Sequence, residues 1–327
     1  VQEDFERELQ TDTGPGWIGA PSIWGGADCS QPGSCGEGMI VGVIDSGLNP
    51  SNPSFADVGG DGYDHTNPFG AGNYVGVCDA GNTGDGDIKP YDPTFPCNDK
   101  LIGAWGYHSV DAQFPGNSPF DNDGHGSHTA STAAGNFVEA TISGGARAPE
   151  QISISGVAPH ANIIAYAGCC TGSGLAASID QTVIDGVDVI NYSIGSSSSS
   201  DLWNDFDTVG FLNARKAGIF VATSAGNDGP GPDTVGSPAD APWLTSVAAS
   251  THSRTWTNTV STTGGDAPLA DIVGNAFTDG YGPAPIVYAG DFGDALCLNP
   301  FPAGTWTNGE IVVCDRGQIA RTDKGVN

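Results

Sequence analysis

Residues 38–45, GMIVGVID, form an unbroken apolar run that ends in an aspartate. The pattern recurs in NIIAYAG (162–168), VDVINYSIG (187–195), IFVATSAGN (219–227) and WLTSVAAS (243–250). Helical spacing lies between these runs. Leu175, Ile179, Val183 and Ile184 mark one helix; Trp203, Phe206, Val209 and Leu212 mark another, which Gly218 would stop. Continuous apolar strands separated by helices predict an α/β fold, a parallel sheet flanked by helices on both faces. In such sheets ligands bind beyond the carboxyl ends of the strands. Asp45, Ser193 and Asn227 sit at such ends.

The rest of the chain is less regular. Residues 46–120, rich in Gly, Asp, Asn and Pro, read as long loops, and SSSSS (196–200) as a further one. After about residue 270 the character changes, with PIVYAG and GEIVVC reading as strands of a smaller β-rich unit. The sequence therefore divides into 1–270 and 271–327. With 10 basic against 38 acidic residues the formal net charge is −28, which excludes a nucleic-acid partner, because phosphate needs clustered Lys and Arg. No apolar run is long enough to span a bilayer, so no membrane partner is expected. The Asp/Gly-rich loop DAGNTGDGD (79–87) is a candidate structural calcium site without EF-hand spacing.

Eight cysteines, an even number without CxxC or Cys/His zinc spacing, fit disulfides in a secreted, extracellular protein. Nearest-neighbour pairing would join Cys29 to Cys35, Cys78 to Cys97, Cys169 to Cys170 and Cys297 to Cys314. Sequence leaves the connectivity open, above all at Cys169 and Cys170, where a bond between neighbours would strain the backbone. The opening VQEDFERELQTD is charged and lacks a signal core, so any signal or pro-segment is expected to have been removed.

Three separated motifs carry chemistry: VIDSG with Asp45, DGHGSHTASTAAG with His125, and TSAGNDGP with Asn227. Their order and placement at strand ends resemble the subtilisin-like serine proteases, the subtilases, over about residues 38–255. CNDKLIGAWGY (97–107), DGVDVINYSIG (185–195) and SVAAST (246–251) are similar to the larger, plant-type members. In that group a protease-associated (PA) domain interrupts the catalytic domain after the Asn motif, and GEIVVCDRG (309–317) resembles the start of such an insert.

The resemblance implies a serine endopeptidase acting on polypeptides, with no cofactor required for the chemistry. Asp45 would hold one ring nitrogen of His125, and the other nitrogen would take the proton of a serine hydroxyl. Asn227 would aim its amide at the oxyanion. The substrate would pair as an extended strand with Gly172, Ser173 and Gly174 on one side and Ser193, Ile194 and Gly195 on the other. Ala225 and Gly226 would wall the pocket for the residue before the scissile bond. His128, three residues after His125, is expected to be structural, its ring nitrogens hydrogen-bonded nearby. A two-histidine metal site lacks the usual i, i+4 spacing and a third ligand, so no metal residue is assigned. The small residues Ala130, Ser131, Ala133, Ala134 and Gly135 would let a buried helix approach the sheet.

The family's nucleophile lies in a GTSMA-type segment, and no such segment occurs in this sequence. ATSAG (222–226) runs straight into Asn227 and belongs to the oxyanion motif. The expectation is an N-terminal portion of a longer protease, ending inside the PA insert. Its sheet would be incomplete, and alone it would be inactive. Its partner would be a C-terminal fragment of the same precursor carrying the serine. The competing reading is an inactive peptide-binding or scaffold protein of the same fold.

Overall fold

The structure, a computed structural model, describes residues 14–26, 29, 33–84, 88–107, 118–142, 150–196, 200–250, 257–264, 270–275, 280–315 and 324. The charged opening segment 1–12, residues 85–87 of the candidate calcium loop and 197–199 of the serine run lie outside them. The chain divides into two compact units, Val1–Ile142 with Glu150–Thr255, and Ser143–Pro149 with Trp256–Asn327.

The first unit is built on a seven-stranded parallel sheet, as the apolar runs require. After the short helices α1 (Gly14–Trp17) and α2 (Pro21–Trp24) come β1 (Ile40–Asp45), β2 (Val75–Gly76), β3 (Leu101–Gly106) and helix α3 (His125–Ala134). A hairpin follows, β4 (Val138–Ile142) with β5 (Glu150–Ile154). The chain continues through β6 (Asn162–Ala167), α4 (Gly172–Asp185), β7 (Val189–Tyr192), α5 (Phe206–Lys216), β8 (Phe220–Ser224) and β9 (Thr245–Val247). The sheet order is β2-β3-β6-β1-β7-β8-β9, so β1 lies in the middle with all six residues buried.

Each face of the sheet carries its own core. Ile44, Tyr166, Tyr192 and Val221 pack with Leu175 and Ile179 of α4 and Phe211 of α5. Val43, Leu101 and Ile163 pack with Ala130 and Ala134 of α3. The small side chains of α3 therefore bring its axis onto the sheet. Gly126 is required there, because a Cβ would collide with the Gly47 carbonyl. Among the described residues no helix is long and apolar enough to cross a membrane.

Several local readings shift. β3 lies inside the stretch that composition reads as loop, and β4–β5 is an added hairpin. Asp205 caps α5 by accepting from the Thr208 N–H at 3.1 Å, so Trp203 falls outside the helix. Its buried residues are Thr208, Phe211 and Ala214, one face round from the Phe206, Val209, Leu212 stripe. On α4, Ile184 is 75% exposed, so the buried face is Leu175, Ser178, Ile179 and Thr182.

The second unit pairs β10 (Thr257–Val260) antiparallel with β11 (Ile272–Asn275), and β12 (Ile286–Tyr288) parallel with β13 (Ile311–Val313). Residue 270, the boundary read from sequence, falls between β10 and β11. Phe292, Trp306 and Phe301 form an aromatic cluster with centroids 4.8 and 4.9 Å apart. The four disulfides join sequence neighbours: Cys29–Cys35, Cys78–Cys97 and Cys169–Cys170 in the first unit, Cys297–Cys314 in the second.

Candidate active site

Three adjacent strands end at one edge of the sheet with polar groups. Asp45 closes β1 and is 1% exposed. Its carboxylate is fully engaged. Oδ1 accepts from the Ser46 N–H at 2.8 Å and from His125 Nδ1 at 2.7 Å, and Oδ2 from the Thr129 hydroxyl at 3.0 Å. A carboxylate can only accept, so in the neutral ring this contact places the proton on Nδ1 and leaves the lone pair on Nε2. The His125 side chain is 48% exposed, so the ring is open on its far side.

His125 is the first residue of α3, and the turn before it is built to hold it there. Asp121 Oδ1 accepts from the N–H groups of Asp123 and Gly124, and its Oδ2 from the N–H and hydroxyl of Ser127. The Ser46 hydroxyl donates to Asp121 Oδ1 and accepts from the Gly126 N–H, tying the end of β1 to the first turn of α3. These acceptors satisfy a helix N-terminus that has no ordinary side-chain cap at Gly124. Burial pushes the Asp121 carboxyl up, but the hydrogen bonds from Gly124, Ser127 and Ser46 outweigh it and hold it low. Sequence reasoning missed Asp121, Ser46 and Thr129. The visible signal was an aspartate four residues before the histidine.

The hydrogen bond to Asp45 raises the His125 pKa above its ordinary value against a smaller effect of burial, and the charges of Asp45, Asp123 and Asp121 add to the rise. His128 goes the other way, lowered by burial and by the neighbouring His125. Its N–H donates to the Gly124 carbonyl at 3.1 Å, but its ring makes no hydrogen bond among the described residues. The expectation that its ring nitrogens are bonded nearby is corrected: the ring is half-buried within reach of the charges of His125 and Asp45 but bonds to neither.

The other sequence-derived residues gather at the same edge in varied conformations. Gly172, Ser173 and Gly174 form the first turn of α4, capped by Thr171, and not the strand expected of them. Ser193, Ile194 and Gly195 follow the end of β7 without regular secondary structure, and the next N–H, that of Ser196, donates to the Ser237 carbonyl at 2.8 Å. Ala225 N–H donates to the Val247 carbonyl at 2.8 Å, Gly226 has φ +88°, and the exposed Asn227 follows in the bend beyond β8. The Cys169 N–H reaches the Asp45 carbonyl at 3.3 Å, so the Cys169–Cys170 pair borders the site.

The Subtilase family profile matches residues 36–311. The chain belongs to the subtilase family. Among its relatives this subtilase is 35% identical to Subtilisin-like protease SBT1.4 of Arabidopsis thaliana, over 99% of this chain and 41% of the relative. It is 33% identical to SBT1.7 and to SBT1.6 of the same plant, over 99% and 100% of this chain and 42% of each relative. The chain thus spans about two fifths of the length of these relatives.

Proposed function

We propose that this subtilase forms the Asp/His half of the catalytic site of a secreted serine endopeptidase. The observation that carries this reading is the 2.7 Å contact from Asp45 to Nδ1 of a half-exposed His125. A buried carboxylate fixes the tautomer and stabilises the imidazolium that forms, while Nε2 accepts the proton of a hydroxyl nucleophile attacking a peptide carbonyl. Asn227 would then donate its amide to the oxyanion. The substrate would run as an extended strand between the first turn of α4 (172–174) and Ser193–Gly195, with Ala225 and Gly226 walling its pocket. No cofactor enters this chemistry.

The nucleophilic serine is assigned to a part of the protein beyond these 327 residues, because no GTSMA-type segment occurs among them. Two observations support a missing partner segment. The chain matches only about two fifths of its relatives. Strand β9, at the edge of the sheet, is exposed at all three residues, with Val247 at 52%. The 327 residues alone would therefore be inactive until a C-terminal segment supplies the serine. The second unit would be the beginning of a PA insert, and the disulfides fit a secreted protein.

A metal hydrolase built on His125 and His128 is disfavoured by geometry. Among the described residues the His, Cys, Asp and Glu side chains with metal-ligand spacing are Cys29, Cys35 and His160, and the two sulfurs there are bonded to each other. The test is a fluorophosphonate probe on the full-length protein. Labelling of a serine outside residues 1–327, lost in His125→Ala, is expected. A folded full-length protein that never labels would instead mark an inactive peptide-binding relative.

A further inference from the structure

Behind the proposed substrate strand lies a buried polar pair that the catalytic reading does not use. Tyr192 is the last residue of β7, is 1% exposed, and packs edge-on against Phe211 of α5 with centroids 4.8 Å apart. In register it lies beside Ile44 of β1 and Thr223 of β8, so it is one step from Asp45 and immediately precedes Ser193. Its hydroxyl donates to Asp207 Oδ2 at 2.7 Å, while Asp207 Oδ1 is buried without a hydrogen-bond partner. A tyrosine in this apolar core would otherwise leave its own hydroxyl unpaired.

We propose that Asp207 is a positioning residue for substrate: by holding the Tyr192 hydroxyl it fixes the end of β7 and, with it, the backbone of Ser193, Ile194 and Gly195. This rests on the assignment of those three residues to substrate binding. Asp207 touches neither substrate nor Asp45. It acts through one side chain, whose ring is clamped between the core and the first turn of α5.

The link is sensitive to pH. Burial pushes the Asp207 carboxyl up to about 6, against the hydrogen bond from Tyr192, and the charge of Asp205 adds to the rise. Position in the first turn of a helix favours the anion, so burial outweighs it here. Asp205, from the helix cap, and Asp45, across Tyr192, are the other charges that reach the pair. Ionised Asp207 accepts a charge-assisted hydrogen bond from Tyr192, roughly twice as strong as the bond a neutral acceptor makes. The grip on β7 therefore tightens as pH rises through about 6.

The test measures kcat and KM separately from pH 5 to 8, with full-length protein and a fluorescein-labelled peptide that the wild type cuts from casein. The wild-type KM is expected to fall about three- to tenfold as pH rises through that window. Asp207→Asn keeps a neutral acceptor of the same shape, so its KM is expected to lose this step while kcat stays within about twofold. Tyr192→Phe should lose the step as well, and serves if the first variant folds poorly. A KM step that persists in both variants, or a fall in kcat with KM unchanged, would overturn the proposal. A wild type without His125-dependent cleavage would overturn the functional reading first, and this proposal with it.

Discussion

Two histidines at opposite edges of one sheet show how differently a fold can use the same ring. At the carboxyl edge, His125 gives one nitrogen to Asp45 and is 48% exposed. At the amino edge, His160 gives both. Its Nδ1 lies 2.8 Å from Glu37 Oε1 and its Nε2 2.8 Å from Asp61 Oδ2, with the side chain 7% exposed. The ring also stacks on Tyr63 with centroids 3.7 Å apart. Nearby, Lys100 is fully buried and donates to the carbonyls of Pro159 and Ala161 at 2.7 and 2.6 Å, its pKa held well down by burial. At the amino edge both ring nitrogens of His160 and the Lys100 ammonium are taken up by hydrogen bonds. At the carboxyl edge Nε2 of His125 makes no hydrogen bond among the described residues, which suits the proton transfer proposed for it.

The comparison breaks most visibly in turnover. His125→Ala in the full-length protein is expected to cost about 10⁴- to 10⁶-fold in kcat, the range found when serine proteases lose a triad member. Its unfolding free energy should fall by only about 1–3 kcal/mol, the cost of leaving the buried Asp45 without that donor. A folded variant with wild-type kcat would remove His125 from the chemistry.

The pH profile sharpens the contrast next. In the proposed mechanism catalysis needs neutral His125, whose pKa is raised by Asp45. Activity should therefore fall about tenfold per pH unit below that raised value. Stability should move oppositely. The His125–Asp45 contribution is fully present below the unfolded histidine value of about 6.5 and is lost as pH rises through the folded one. Activity measured beside the unfolding midpoint from pH 5 to 9 would expose parallel trends, which this account excludes.

At the amino edge the expected signs reverse. His160→Ala leaves Glu37 and Asp61 without their shared donor, and should cost about 1–3 kcal/mol of unfolding free energy. Activity per folded molecule should stay at the wild-type level. A large drop in kcat at full stability would make His160 something other than a clamp. A smaller effect belongs to Asp207. Its carboxyl is pushed up to about 6, so the folded state loses stability as pH rises from the ordinary carboxyl range through that value. Asp207→Asn should accordingly raise the thermal midpoint by a few degrees at pH 7.5 and leave it unchanged near pH 3.5. The smallest change is expected from His128→Ala, whose ring makes no hydrogen bond among the described residues. It should lower stability slightly. A catalytic loss equal to that of His125→Ala would undo the division of roles.

Much of the carboxyl edge was legible in the sequence. GMIVGVID is apolar at every position before its aspartate, and both faces of β1 are indeed buried. The small residues after His125 declared a helix that approaches the sheet closely. β3 was harder to see, because Gly103 and the surrounding Gly, Asp and Pro residues hide a short apolar strand. The phase of α5 depended on Asp205 acting as its cap, which shifts the buried face to Phe211. The amino edge was invisible for a different reason. His160 meets partners 123 and 99 positions away in sequence, and only the assembled sheet brings them together. Asp207 reads as an ordinary acidic residue in a helix's first turn until Tyr192 buries it.

The central claim is that Asp45 keeps the proton of His125 on Nδ1 and leaves Nε2 as a base. Selective ¹⁵N labelling of histidine, with His125 assigned by substitution, reads this from the ring nitrogen shifts. Above the His125 pKa the account predicts a protonated Nδ1 and an unprotonated Nε2, a pattern lost in Asp45→Asn. A proton on Nε2 instead, or a tautomer unchanged by Asp45→Asn, would contradict it.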